Sequence, residues 1–386
     1  MQFELTEEQA MTKETARRFA ADEIAPTLIE EEARHAFNIA RVAKMGELGF
    51  FSCAVPEEYG GSGMGFMESV LMAEEIAKVS ASWRVPFNMQ NLGTSLTVAK
   101  YGNAAQKEKY IPGWIAGTQL GFFAMTEPNT GSDVASMKTH AIDKGDHFEV
   151  FGNKMWISQA QFGDAGLLYA YTDRSAGNKG MTAFIIEPKN WAGCTARPIE
   201  TKLGLHCSPT GEFVFEGMKV PKENVLGKVG DGFRICMWQL NQTRLGCAAG
   251  ALGVAGGALE LAINYANERT QFGKPISRHQ MIQAQIAEMV VEHQAAQMLV
   301  YRAAWLKDQG RPSQYETSVA KLAASEAAVH AANECIKIFG SYGFSTEFPA
   351  ERFYRDAKSL QIVEGTSNVQ KIIISGMALG FTPNRD

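Results

Sequence analysis

The sequence predicts an α+β protein in three successive parts. These are an N-terminal helical domain over residues 1–120, a middle antiparallel β-domain over 121–228 and a C-terminal four-helix bundle over 229–386. Three observations predict it. Helix formers with cap signals dominate the first part. Near Gly121 the pattern changes to short runs of β-branched and aromatic residues, separated by Gly, Asn, Asp or Pro. From Gly232 the helical period returns in long stretches rich in Ala, Gln, Glu and Met. A chain of 386 residues suffices for more than one core.

In the first part, Thr6-Glu7-Glu8-Gln9 fits a capping box, and the helix it opens runs to Ile24, with Pro26 marking its end. A second helix spans Ile39 to Leu48 and closes at Gly49. The glycine-rich run Val55 to Gly65 matches neither the dinucleotide fingerprint nor the phosphate loop, so it reads as a connection. Phe66 to Lys78, Asn91 to Tyr101 and Gln106 to Ile115 are further helices. In the middle part, Phe148–Phe151, Gly166–Tyr171, Met181–Ile186 and Gly211–Glu216 read as strands. With no helical crossover between them, a parallel βαβ sheet is disfavoured. The last part reads as four helices: Phe233 to Ala266, Ser277 to Gln309, Ser313 to Phe339, and a final stretch after Glu351.

Composition narrows the function. The chain is 45% hydrophobic and 20% charged, as globular proteins are, and its net charge of -5 favours neither nucleic acid nor an anionic membrane surface. No run approaches 18 consecutive apolar residues, so no membrane span is expected. The polar start Met1 to Glu8 reads as neither a signal nor a transit peptide. Six scattered cysteines without a Cys-x-x-Cys pair read as reduced, mostly buried thiols of a cytoplasmic protein. The seven histidines include no His-Glu-x-x-His, so no metal site is expected.

Five stretches carry chemistry. In Val363-Glu364-Gly365-Thr366-Ser367-Asn368 a carboxylate sits between an apolar residue and a glycine. Taken alone it reads as a solvated turn residue; partial desolvation there would raise its pKa and make it a better base toward a weak C–H acid. Thr126 to Asp133, with Pro128-Asn129-Thr130-Gly131-Ser132, is loop chemistry that can hold a polar cofactor, or an ordinary interdomain turn. Trp156 followed by Ser158 can pack on a planar ring and bond its edge, or sit in a core. Arg244, in Asn241-Gln242-Thr243-Arg244, lies within an apolar helix and needs a carboxylate or phosphate partner. Arg269 to Ile276 is a polar turn that by itself reads as a solvated loop, or as a place where a phosphate can meet Arg269.

Six segments in one order resemble the acyl-CoA dehydrogenase family over essentially the whole chain. They are Thr126–Asp133, Lys154–Ser158, Lys202–Leu205, Arg269–Gly273, Ile338–Gly343, and Arg355–Lys358 through Glu364–Ser367. The resemblance implies a β-barrel-like middle domain, non-covalent FAD, an acyl-CoA substrate, a homotetramer and a cytoplasmic location, or the mitochondrial matrix for a processed eukaryotic protein. It places Phe123, Met125, Thr126, Trp156 and Ser158 around the flavin and Ser132 near the pyrophosphate region between the two ligands. Arg269, Phe272, Gln280, Ile338 and Gly340 would reach the FAD of a neighbouring subunit. Thr366 and Asn368 fall on the flavin side of the catalytic loop, and Asn241, Arg244 and Gly365 on the substrate side.

Glu364 matches the family's catalytic base. Some members carry the base at the position of Thr243, which cannot abstract a proton. The implied reaction takes the α-proton to Glu364, with the enolate-like oxygen bonded by the Glu364 N–H and the flavin ribityl chain, and moves the β-hydride to flavin N5. Electrons would leave through an electron-transferring flavoprotein. Three departures stand out. Val363 replaces a common Tyr, Lys337 replaces a Gln that contacts FAD, and Arg84 falls where the glutaryl-CoA branch holds a distal carboxylate, although a helix-surface arginine is the plainer expectation. The competing functions are an oxygen-using relative (an oxidase or flavin monooxygenase), a dehydrogenase of a carrier-protein-bound acyl group, and a non-catalytic flavoprotein.

Overall fold

Thr6 opens the first helix as its hydroxyl and Gln9 dictate: each side chain accepts the other's backbone N–H, both at 3.2 Å. The computed structural model describes residues 4–381, so Met1 to Phe3 of the polar start lie outside the described residues. Helix α1 is Glu7–Phe19. Pro26 does not end the helical path. It sits in the short 3-10 turn Ala25–Thr27, where a missing N–H is harmless, and α2, Leu28–Arg34, follows at once. Helices α3 (Ile39–Glu47) and α4 (Phe66–Val79) follow the expected bounds. The next helical path starts about ten residues before the expected Asn91. It comprises α5 (Ala81–Asn88, with Pro86 inside), a π turn at Met89–Ser95 and α6 (Leu96–Tyr101). Proline hid its start in the sequence. A second capping box, Asn103 with Gln106, opens α7, Ala104–Ile115.

The middle part forms one eight-stranded sheet: β1 Phe123–Ala124, β2 His140–Asp143, β3 His147–Ser158, β4 Gly166–Tyr171, β5 Met181–Ile186, β6 Cys194–Pro198, β7 Thr210–Pro221 and β8 Val225–Leu226. The order is β6-β7-β3-β2-β4-β5-β8, with β1 against β4. Here the antiparallel expectation needs correction, because β4 pairs in parallel with both β1 and β2. The parallel partners are short pieces brought back by loops, so no helical crossover is needed. All other pairings are antiparallel. Every residue of β4 and β5 is buried, as strands covered on both faces require.

The last part contains α8 (Gly232–Glu268), α9 (Gln280–Asp308), α10 (Gln314–Phe339), α11 (Ala350–Leu360) and α12 (Ser367–Ala378). The expected fourth helix is therefore two, broken at the segment that holds Glu364. An 18-residue window of α8 is long and apolar enough by composition to cross a membrane, but 72% of it is buried inside the fold, as a core helix requires. It can approach α4 closely because Gly253 has no side chain: a Cβ there would fall 2.2 Å from the Glu74 carbonyl oxygen. Gly253→Ala is therefore expected to destabilise the protein by about 1–3 kcal/mol through overpacking, read as a lowered Tm.

Candidate active site

The break between α11 and α12 is a bend with two consecutive left-handed residues, Glu364 at φ 59° and Gly365 at φ 89°. Glycine tolerates this, whereas for Glu364 it costs roughly 1–2 kcal/mol, so the surroundings must hold it. They do so through carbonyls. Arg244 Nε donates to the Glu364 oxygen at 2.9 Å, and Lys321 Nζ and Gln370 Nε2 donate to the Gly365 oxygen at 2.7 and 2.9 Å. Thr366 caps α12 by accepting from the Val369 N–H at 3.2 Å, so its hydroxyl oxygen already serves the helix. Among the described residues, the amide N–H groups of Glu364 and Gly365 have no protein acceptor. They remain available to an oxygen of a ligand.

The Glu364 carboxylate is half-buried and accepts from the Thr243 hydroxyl at 2.7 Å. Burial raises its pKa above the ordinary carboxylate value. The Thr243 bond and the positive charges of Arg244, Arg84 and Lys321 oppose that rise. Arg244 thus finds a loop carbonyl rather than a carboxylate hydrogen-bond partner, and burial draws its pKa down.

Arg84 overturns the helix-surface expectation. It is 3% exposed, and its Nε is a buried donor without an acceptor. Among the described residues no carboxylate lies within ion-pair distance of it. Gly250 makes room, since a Cβ there would lie 2.8 Å from Arg84 Cδ and Nε. One half-buried carboxylate thus faces three buried cations, and a second negative charge would balance the site better than none.

On the other side, the segment that follows β1 meets β3 through a hydrogen bond from Met155 N to Thr126 O of 2.8 Å. Trp156 lies outside the core expected of a lone tryptophan: it is 53% exposed, with φ 63°. Among the described residues, neither the Thr126 nor the Ser158 hydroxyl has a hydrogen-bond partner at this face. An exposed indole flanked by two free hydroxyls fits the face and edge of a planar ring such as a flavin. Phe123 is half-buried, Met125 buried and Ser132 exposed on the loop between them and β2.

Beneath lies a buried ion pair that the sequence reading missed. Lys154 Nζ donates at 2.9 Å both to Met125 O and to Glu127 Oε1. Burial pulls the lysine down to about 8, against the pull of Glu127. Glu127 also accepts from Thr139 N at 2.9 Å and Lys138 N at 2.6 Å. Lys154→Met strands the Glu127 charge. A loss of about 3–5 kcal/mol in stability is expected, together with a lower FAD content by absorbance.

The remaining candidates lie toward the surface. Arg269 holds its guanidinium 5.6 Å from the Tyr342 ring centre, which joins the Arg269 turn to the Gly340–Phe344 segment. Phe272 is 94% exposed at φ 54°, and Gln280 is exposed at the start of α9. Lys337 is engaged by both Glu334 oxygens at 2.8 Å. Ile338 is buried, so only its backbone can meet a ligand, and Gly340 and Asn368 are exposed. Asn241 is half-buried with its Oδ1 unpaired. Among the described residues no group of three or more His, Cys, Asp or Glu side chains is placed to hold a metal.

Three family models cover the chain: the acyl-CoA dehydrogenase N-terminal domain at residues 6–118, the middle domain at 122–218 and the C-terminal domain at 230–379. The glutaryl-CoA dehydrogenase of Desulfococcus multivorans is 47% identical over 384 residues, 98% of each chain. The mitochondrial short-chain specific acyl-CoA dehydrogenase of Mus musculus is 40% identical over 97% of this chain and 91% of its own. The solved glutaryl-CoA complex of a glutaryl-CoA dehydrogenase superposes with a TM-score of 0.96 at 47% identity, covering 98% and 97% of the two chains. The carboxylate bend, the flavin-shaped face and these full-length matches lead to one conclusion: the chain belongs to the acyl-CoA dehydrogenase family and is an FAD-dependent oxidoreductase acting on acyl-CoA thioesters.

Proposed function

We propose that the substrate is a short dicarboxylyl-CoA of the glutaryl-CoA class, oxidised between its α- and β-carbons with Glu364 as the base. The observation that carries this reading is the buried, unpaired Arg84 guanidinium, which shares its surroundings with the Glu364 carboxylate. A distal carboxylate on the acyl chain would supply the missing partner. The similarity to chains named glutaryl-CoA dehydrogenase supports it.

The geometry and the family resemblance support the following roles. Glu364 takes the α-proton. Thr243 bonds one carboxylate oxygen and leaves the other free to do so. The free Glu364 N–H bonds the thioester oxygen as negative charge develops there. Trp156, Thr126 and Ser158 hold the ring of FAD, with Phe123 and Met125 behind them and Ser132 toward its phosphates. Bound FAD supplies the acceptor for the β-hydride. Arg244, Gly365 and Asn241 line the acyl-CoA side. Arg269, Phe272, Gln280, Lys337, Ile338, Gly340, Thr366 and Asn368 serve the FAD of a neighbouring subunit or the loop beside it. Exposed Phe272, Met281, Val291 and Phe344 supply apolar surface for a homotetramer in the cytoplasm. An electron-transferring flavoprotein is the acceptor.

The test is anaerobic mixing of the yellow protein with a panel of acyl-CoAs while the flavin absorbance is followed. Glutaryl-CoA is expected to bleach the flavin faster than butyryl-CoA. The reverse order would move the substrate to the short-chain class, which the 40% identity to a short-chain specific relative favours. Bleaching only by a carrier-protein thioester, or oxygen uptake stoichiometric with turnover, would replace the carrier or the acceptor.

A further inference from the structure

Lys321 lies in the third turn of α10 and is 0% exposed. No carboxylate forms an ion pair with it among the described residues. Its Nζ meets the Gly365 carbonyl at 2.7 Å. A neutral residue fills such a place at lower cost, because a buried ammonium bonded to one carbonyl is poorly compensated. A negative charge nearby offsets the cost, and Glu364 is the residue before that carbonyl.

Five residues further along α10, Glu326 accepts from Gln361 Nε2 at 2.7 Å and Ser367 Oγ at 2.6 Å. This helix therefore grips the bend at positions 361, 365 and 367, on both sides of the base. The groups that face Glu364 are Thr243, Arg244, Cys236 and Cys247 from α8, Arg84 from α5 and Lys321 from α10. Gln370, from α12, is neutral and touches only carbonyls. Among the cations, Arg244 holds the Glu364 carbonyl and Arg84 holds no part of the bend, so Lys321 is the one that holds its second carbonyl.

We propose that Lys321 is a positioning residue for catalysis: its ammonium, bonded to the Gly365 carbonyl, fixes the left-handed Glu364–Gly365 bend and sets a positive charge one residue from the Glu364 carboxylate. This rests on Glu364 being the base. Removing the positive charge raises the carboxyl pKa, so the acidic limb of the rate profile moves to higher pH.

The experiment uses the FAD-loaded enzyme and Lys321→Met, Lys321→Gln, Lys321→Arg and Glu364→Gln, with the best acyl-CoA of the panel. FAD content, substrate Kd and the bleaching rate are followed from pH 5.5 to pH 9. For Lys321→Met the rate at pH 6 is expected to fall about tenfold, with the limb displaced upward by about one unit. FAD content and Kd are expected to stay within about twofold. Lys321→Gln, which keeps a donor but no charge, is expected to show the same displacement, and Lys321→Arg to restore the parent limb. If Lys321→Met does not fold, the Gln and Arg pair decides. An unmoved limb in the neutral variants, or a loss confined to Tm or FAD content, would overturn the proposal. Bleaching that survives in Glu364→Gln would instead overturn the assignment of the base, whatever the Lys321 variants do.

Discussion

Glu364→Gln is expected to lower the anaerobic rate of flavin bleaching by about 10²–10⁴-fold while leaving FAD bound. The amide oxygen still accepts from Thr243, and the backbone clamps on the Glu364 and Gly365 carbonyls do not involve the side chain. The loss is therefore one of proton abstraction rather than of shape. In the parent enzyme the rate rises with pH through the raised pKa of this carboxyl, because only the ionised form is a base. Stability runs the other way. The folded-state pKa lies above the unfolded one, so the native state binds more protons between them, and the stabilisation present at low pH is lost as pH rises through the folded pKa. Glu364→Gln has no charge to bury and is expected to show a Tm at pH 8 equal to or above that of the parent. A Tm several degrees lower would mean that the carboxylate holds the bend.

Arg84→Ala separates the two substrate classes. With glutaryl-CoA, kcat/KM is expected to fall about 10²–10³-fold, because a carboxylate is left buried without its cation, a loss of about 3–4 kcal/mol. With butyryl-CoA the expected change is within about tenfold, since no charge is stranded and one cation near Glu364 is removed. An equal loss on both substrates would make Arg84 a structural arginine and would return the protein to the short-chain class. The absence of any carboxylate partner for Arg84 among the described residues makes this comparison decisive.

Several features of the site were legible before any coordinates. Glu364 was singled out by its neighbours Val363 and Gly365, and Gly365 by the sharp bend it permits, but the sequence did not show that this bend divides the last helix. The capping box at Thr6 was legible for the same local reason: its two bonds span three residues. Arg84 was kept as a candidate for a distal carboxylate, but a place on a helix surface was the plainer expectation, because nothing local in Ala81–Asn88 shows that α8 covers it. Thr243 was set aside as an impossible base, yet its hydroxyl bonds Glu364, the proposed base, across 121 positions of sequence. Lys154 and Glu127 stood within two noted motifs, but nothing local showed that their charges meet. Lys321 had no signal at all, as one lysine in an Ala-rich helix.

Sequence alone was thus enough for the order of helical and β parts, the six family segments and the carboxylate in its glycine bend. Each of these depends on residues near one another in the chain: cap spacing, side-chain period, a turn that only certain residues tolerate. The parallel pairings of β4, the division of the fourth bundle helix and the three cations around Glu364 needed the tertiary structure. Arg84, Arg244 and Lys321 come from three different helices, and their common field exists only where α5, α8 and α10 pack against the α11–α12 bend. A pKa is set by what surrounds a group in space, so the tuning of this base could be read only from the folded chain.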